Sequence, residues 1–454
     1  AVSGIDGVLD LSTASDFSKA ATALKYFRLN MEPSVIFHHA QSAESAGASG
    51  EIKTSLVQSP EKGMGLIVRQ NPGSELLAIH YLFKYKSAHE VEFGKEAAKY
   101  LHDCFGQRMK STEKLAQSQK FGLKFTVNDN PWIPMDNIYL HPDFGYIRVE
   151  GLANDLPGTI AFLNTEMNSF IPTAEEFKIA QGKFSQSMMH GGKDKAKDLF
   201  DALVDSTLYG STVKENDKAL TYESLVKFAR VYFTPENRLV SVVSPKSEEM
   251  VSKLLLAGAK SPAKTYPLTD KSYLKLDTPV YVDVPGGGER TYLFWGFVKN
   301  IDRGDEAALK ALGLILSDKI IFDVREKQGL AYRMTATSAV RDDKALFYIS
   351  LGTRPQNAEV LLPQFESLMS RQTLGELSEE DVQKTINMYL GRMMFRRLSS
   401  INQAYYLGTS LFFENEMNHD KAFLDALKAV TLEDVNRVAD KYLSAENAIS
   451  IVVR

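Results

Sequence analysis

Two segments of the chain, 210 residues apart, carry one pattern of apolar and polar positions. Residues 221–243 read TYESLVKFARVYFTPENRLVSVV and residues 431–453 read TLEDVNRVADKYLSAENAISIVV. Identities fall at Thr221/Thr431, Glu223/Glu433, Ala229/Ala439, Tyr232/Tyr442, Glu236/Glu446, Asn237/Asn447, Val242/Val452 and Val243/Val453. Both segments open on a threonine suited to cap a helix and continue with apolar residues at helical spacing. Both then turn and end in a Val/Ile run of β character. The pattern predicts a capped helix, a turn and a buried strand, made twice.

Repetition within a chain outranks local propensity as a guide to architecture. The same offset recurs upstream, where Glu96-Ala97-Ala98 matches Glu306-Ala307-Ala308 at the start of a helix in each half. Two copies of one α+β domain are therefore expected, at residues 61–245 and 271–454. Residues 246–270 between them carry a short apolar helix and then Ser/Pro/Lys-rich linker chemistry. A third, partial copy is expected at the N-terminus. Ser15 and Tyr26 stand eleven residues apart, as do Thr221 and Tyr232, and Val35-Ile36-Phe37 takes the place of the terminal strand. Residues 1–42 then read as the end of a preceding domain, and residues 43–60 as a linker. On this reading the chain follows another two-domain half, in one precursor or as a separate piece. The plainer alternative is a helix and strand that merely resemble the unit.

Composition narrows the field. With 454 residues, 44% hydrophobic and 24% charged, the chain can bury two or three cores. A net charge of −4 argues against nucleic acid or an anionic membrane as partner. Cys104 is the only cysteine, which excludes an internal disulfide and a thiolate metal cluster. No apolar run reaches about 18 residues, so no membrane-spanning helix is expected. The start, Ala1-Val2-Ser3-Gly4, lacks a charged-then-apolar signal segment. Bacterial periplasm and cytoplasm both stay open, with the reading leaning to the periplasm.

Two stretches carry candidate chemistry. Residues 94–106, GKEAAKYLHDCFG, predict a helix bearing Lys99, His102 and Asp103. An ammonium has three donors and no lone pair for a metal. Neighbours on a helix point about 100° apart, so His102 and Asp103 do not converge on a small ion. Downstream, Glu176 stands where a capping-box partner of Thr173 belongs, and the following helical positions hold Gln, Ser and Lys. Zinc requires about three converging protein ligands, so no metal is predicted on this chain. The second stretch is a long helix over 306–324 followed by Arg325-Glu-Lys-Gln-Gly329-Leu-Ala-Tyr332. Gly329 suits a left-handed turn ending the helix, and residues 330–336 alternate as a strand does. Taken by themselves, Arg325 reads as an arginine capping the last helical carbonyls and Tyr332 as a tyrosine packed in a core.

Weaker signals carry less. Pro285-Gly-Gly-Gly288 lacks the Lys-Ser/Thr of a phosphate loop and predicts a hairpin or β-edge turn. His38-His39 has no third ligand nearby, His190-Gly-Gly192 reads as a loop, and residues 392–397 read as a packed amphipathic helix. No nucleophile–His–Asp triad assembles from local spacing. The aromatic, Pro- and Asn-rich stretch 128–150 is read first as a well-packed loop before a strand at 146–149, and second as a chamber lining.

The helix around Lys99, His102 and Asp103 and the run from Arg325 to Tyr332 together resemble the pitrilysin/insulinase (M16) metallopeptidases. In that family an inverted His-x-x-Glu-His helix binds zinc, and the second half presents an Arg/Tyr pair seven residues apart. Here the three motif positions are Lys99, His102 and Asp103. The resemblance implies two homologous LuxS/MPP-like α/β sandwich domains in tandem, with mixed, mostly antiparallel sheets and helices packed on one face. It implies the non-zinc-binding half of a two-part zinc metallopeptidase, one side of a clamshell chamber, inactive without the His-x-x-Glu-His half. No cofactor is expected on this chain and zinc is expected on the partner half, which could be the upstream part of the same precursor. Arg325 and Tyr332 would then contact a peptide substrate and its transition state. The alternative is a catalytically inactive structural or peptide-binding subunit of an M16-like assembly.

Overall fold

A computed structural model describes residues 52–58, 63–128, 144–168, 170–190, 195–210, 218–257, 265–266, 273–286 and 288–454. The expected N-terminal tail, residues 43–51 of the expected linker, His38-His39, residues 191–192 and most of the aromatic loop lie outside these residues, whereas residues 53–58 of that linker form a strand hydrogen-bonded into a sheet.

Two sheets organise the molecule. The first contains β1 (Lys53–Gln58), β2 (Gly65–Gln70), β3 (Leu76–Phe83), β4 (Lys124–Asn128), β5 (Gly145–Leu152) and β6 (Arg238–Ser244). The second contains β7 (Val280–Val284), β8 (Thr291–Asn300), β9 (Arg333–Arg341), β10 (Lys344–Thr353) and β11 (Ile449–Val453). Strand orders are β1-β2-β6-β3-β5-β4 and β7-β11-β8-β10-β9. With β1 set aside, the two orders are one topology: β2 to β6 in the first copy correspond one for one to β7 to β11 in the second. The last strand of each copy pairs parallel to the first, β6 with β2 and β11 with β7, and every other pairing is antiparallel. This is the tandem α+β arrangement that the 210-residue repeat predicts.

The helices follow the same duplication. The first copy holds α1 (Lys86–Phe93), α2 (Ala97–Met109), α3 (Thr112–Lys120), α4 (Leu156–Asn168), α5 (Ala174–His190), α6 (Lys195–Tyr209) and α7 (Tyr222–Tyr232), with α8 (Glu248–Leu255) in the link. The second holds α9 (Glu306–Ile321), α10 (Glu379–Arg396), α11 (Ser400–Glu414), α12 (His419–Lys428) and α13 (Leu432–Tyr442). Thr221 and Thr431 cap α7 and α13, accepting from the amides of Ser224 and Asp434. The strands that follow are buried because their Val and Ile side chains face covered surfaces on both sides, and all seven residues of β6 are buried. One sheet face packs on its own helices. Ile79, Tyr81 and Phe83 meet Leu101, Phe105 and Phe228 in the first copy, and Trp295, Phe297 and Phe347 meet Leu312, Leu316 and Val435 in the second.

The other face is closed by exchange. Helix α11 of the second copy lies on β3 and β6 of the first sheet, and α6 of the first copy lies on β8 and β11 of the second. Tyr405, Leu407 and Leu411 pack against Ile67, Leu82 and Leu239, while Ala196, Phe200 and Leu208 pack against Phe294, Ile449 and Ile451. Full burial of one such side chain contributes roughly 1.5–3 kcal/mol, so the exchange ties the copies firmly together. Arg148 on β5 adds a bond from Nη2 to Asn402 Oδ1 at 2.6 Å across this seam.

Two local expectations change. The helix over 306–324 ends its α-helical part at Ile321 and continues as a π turn, Phe322–Lys327. The strand expected from 330 begins at Arg333, because the Leu330 carbonyl accepts from the side chains of Thr353 and Asn357. Of the two alternatives for the glycine run, the strand before it, β7, is an edge strand, and it forms no hairpin with β8, since β11 stands between them.

Candidate functional site

Helix α2 begins without help from its own N-cap. Glu96 is left-handed, with φ 61° and no side-chain cap bond. The missing acceptor comes from α1, where Glu90 Oε1 receives the Ala98 amide at 2.9 Å. This cap orients the helix that carries the three motif positions, and sequence spacing gave no sign of it.

Those positions do not converge. Lys99 Nζ donates to Glu96 at 2.9 Å and stands 4.5 Å from the centre of the Phe184 ring. His102 points the other way, into the core, 1% exposed between Phe83, Tyr232 and Phe233. Asp103 faces α5, where it accepts from Lys183 Nζ in a close ion pair, and it also accepts from Gln107 Nε2 of its own helix at 2.7 Å. An ammonium from α5 is thus the cation beside the helix's carboxylate. Glu176 is occupied as well. It closes the capping box with Thr173, and Arg108 clamps it at 2.9 and 2.7 Å. The residues present do not fit a zinc ion: one would-be ligand is an ammonium, one is packed among aromatic rings, and the carboxylates are held by Lys183 and Arg108. Among the described residues no group of three or more His, Cys, Asp or Glu is placed to hold a metal. Burial pushes the Cys104 thiol up to about 12, so it stays protonated and inert.

Helix α9 occupies in the second copy the place of α2 in the first: both follow the second strand of the repeat and precede the third. The Arg/Tyr run leaves its C-terminal end. Gly329 adopts φ 65°, the left-handed value that its place after the helix called for. The π turn widens the backbone under Arg325, a distortion often found at functional sites. Arg325 is half exposed and donates from Nε to Glu326 Oε1 at 2.7 Å. Tyr332 is 85% exposed, so it is no core tyrosine, and its hydroxyl is presented to solvent at the start of β9. The run therefore offers a guanidinium and a phenol on the surface, groups that can donate to an oxygen gaining negative charge.

Comparison with known proteins bears on the fold and its relatives. Residues 219–389 match the family described as the peptidase M16 inactive domain. The uncharacterized zinc protease YmxG of Bacillus subtilis is 20% identical over 282 residues, covering 57% of this chain and 66% of that protein, just under two thirds. A crystal structure of a peptidase M16 inactive domain from Pseudomonas fluorescens superposes with TM-score 0.69 at 16% identity, over 88% of this chain and 98% of that one. The periplasmic protease PqqL of Escherichia coli superposes with TM-score 0.66 at 14% identity, over 90% of this chain but only 47% of PqqL. At such identities the superpositions establish the fold. Taken with the matched stretch, they make this chain similar to the M16 peptidases in fold, with residues 219–389 resembling the inactive domain of that family.

Proposed function

We propose that this chain is the non-zinc half of a two-part M16 zinc metallopeptidase, forming one wall of a chamber and lending Arg325 and Tyr332 to substrate. The observation that carries this reading is the 85% exposure of Tyr332, seven residues after a half-exposed Arg325, beyond the end of a helix whose counterpart has no metal ligands to offer. An exposed phenol on an ordered strand end contributes little to folding, whereas it can donate to a peptide carbonyl. The match of this chain to about half of PqqL is in keeping with a half-length partner. In this reading zinc and its general base sit on the other half, and this chain holds substrate.

The Asp103–Lys183 pair also suits a second reading, an inactive structural or peptide-binding subunit, because such a pair secures the helix without chemistry. The two separate on one experiment. Mixed with a His-x-x-Glu-His half, the chain should support peptide cleavage, and Tyr332→Phe should lower kcat by about tenfold or more while the halves still associate. Unchanged kinetics in that variant would leave the structural reading standing.

A further inference from the structure

On α9, Lys310 places its ammonium 4.8 Å from the centre of the Tyr389 ring, and Arg392 places its guanidinium 5.9 Å from the same centre. Two cations therefore share one phenol. Burial first, then the positive charges of Arg392 and Arg396, lower the Lys310 pKa below the ordinary lysine value. Two carboxylates of α9, Glu306 one turn before Lys310 and Asp318, which feels the Arg392 charge, are both pushed up by burial. Met388 and Phe395 stand four residues before and three after Arg392, on the same side of α10, and are 57% and 68% exposed. Lys310 also lies on the less buried ridge of α9 that continues through positions 314, 317 and 321 toward the turn bearing Arg325.

Positive charge in a partly desolvated setting attracts an anion more strongly than an open surface lysine does. Exposed apolar side chains on both sides of a guanidinium suit a ligand that alternates acidic and apolar groups. We propose that Lys310 and Arg392, over Tyr389, form a subsite for an acidic side chain of a bound peptide, with Met388 and Phe395 receiving its apolar neighbours. This assignment rests on the peptide-binding reading above and adds a substrate class to it.

The test uses the full chain and two fluorescein-labelled peptides, one alternating Glu and Leu and one with Gln in place of each Glu, read by fluorescence anisotropy. At about 20 mM salt the acidic peptide should bind about tenfold tighter, and the preference should shrink at about 300 mM. Lys310→Met with Arg392→Gln should abolish the preference, and Arg392→Lys should keep most of it. Equal affinity of the native chain for both peptides would overturn the subsite, as would a preference that survives the double variant with its circular dichroism unchanged. Cleavage of a neutral peptide by the mixed halves does not involve this subsite. Its failure would count against the proposed function alone.

Discussion

The Lys183 ammonium on α5 reaches the Asp103 carboxylate on α2, so an ion pair ties together the two helices that carry the candidate motif positions and Glu176. The carboxylate is mostly buried and the ammonium mostly exposed. Lys99 adds a second cation over Phe184 on the same side. The two ammonium groups disfavour a divalent ion twice, by repelling its charge and by offering it no lone pair.

Removing the ammonium should therefore cost stability rather than activity. Lys183→Ala is expected to destabilise the chain by about 0.5–1 kcal/mol, a small figure because Lys183 is well solvated. Urea unfolding reads the effect as a lower midpoint at unchanged slope. A variant as stable as the native chain would show the pair to be incidental.

The seam between the copies carries its own pH dependence. His80 on β3 is fully buried beside Tyr146 and Arg148 of β5, Ser241 of β6 and Tyr405 of α11. Burial first, and then the Arg148 charge, lower its pKa to about 3, against an ordinary value of 6.5. The unfolded chain thus binds a proton that the folded chain refuses. Stability from the neutral imidazole is complete above about pH 6.5 and erodes as pH falls from there toward 3. Between pH 7 and 5 the unfolding free energy of the native chain should fall more steeply than that of His80→Phe. Parallel pH profiles would remove His80 from the account.

Close approach of α11 to the first sheet depends on Gly408. A side-chain carbon there would stand 2.8 Å from Ser241 Oγ and 3.7 Å from His80 Nδ1. Gly408→Val should cost about 1–3 kcal/mol by overpacking and should loosen the two copies from one another. Faster hydrogen exchange in β3 and β6 would report that loosening. Native exchange rates in the variant would contradict the close packing.

The repeated unit was legible because its signals are local. Thr221 and Thr431 cap helices, Val242 and Val452 lie in buried strands, Gly329 turns left-handed, and Thr173 with Glu176 closes a capping box. The adjacent His102 and Asp103 also diverge, as helical geometry requires. What stayed hidden depends on distant partners. Periodicity marks an apolar face on α6 and α11 but cannot say that each face belongs to the other copy's sheet. Lys183 lies 80 residues from Asp103, and a lysine on a polar helix face carries no mark of its partner. Glu90 caps α2 from a separate helix, and the π turn under Arg325 has no compositional signature.

The central claim, that this chain supplies no zinc and takes its hydrolytic power from a companion, is tested most directly by peptide cleavage. A quenched fluorescent peptide is offered to the purified chain with added zinc, alone and then with a His-x-x-Glu-His half. The account predicts no metal-dependent cleavage by the chain alone and its appearance on mixing. Chelator-sensitive cleavage by the isolated chain would contradict it.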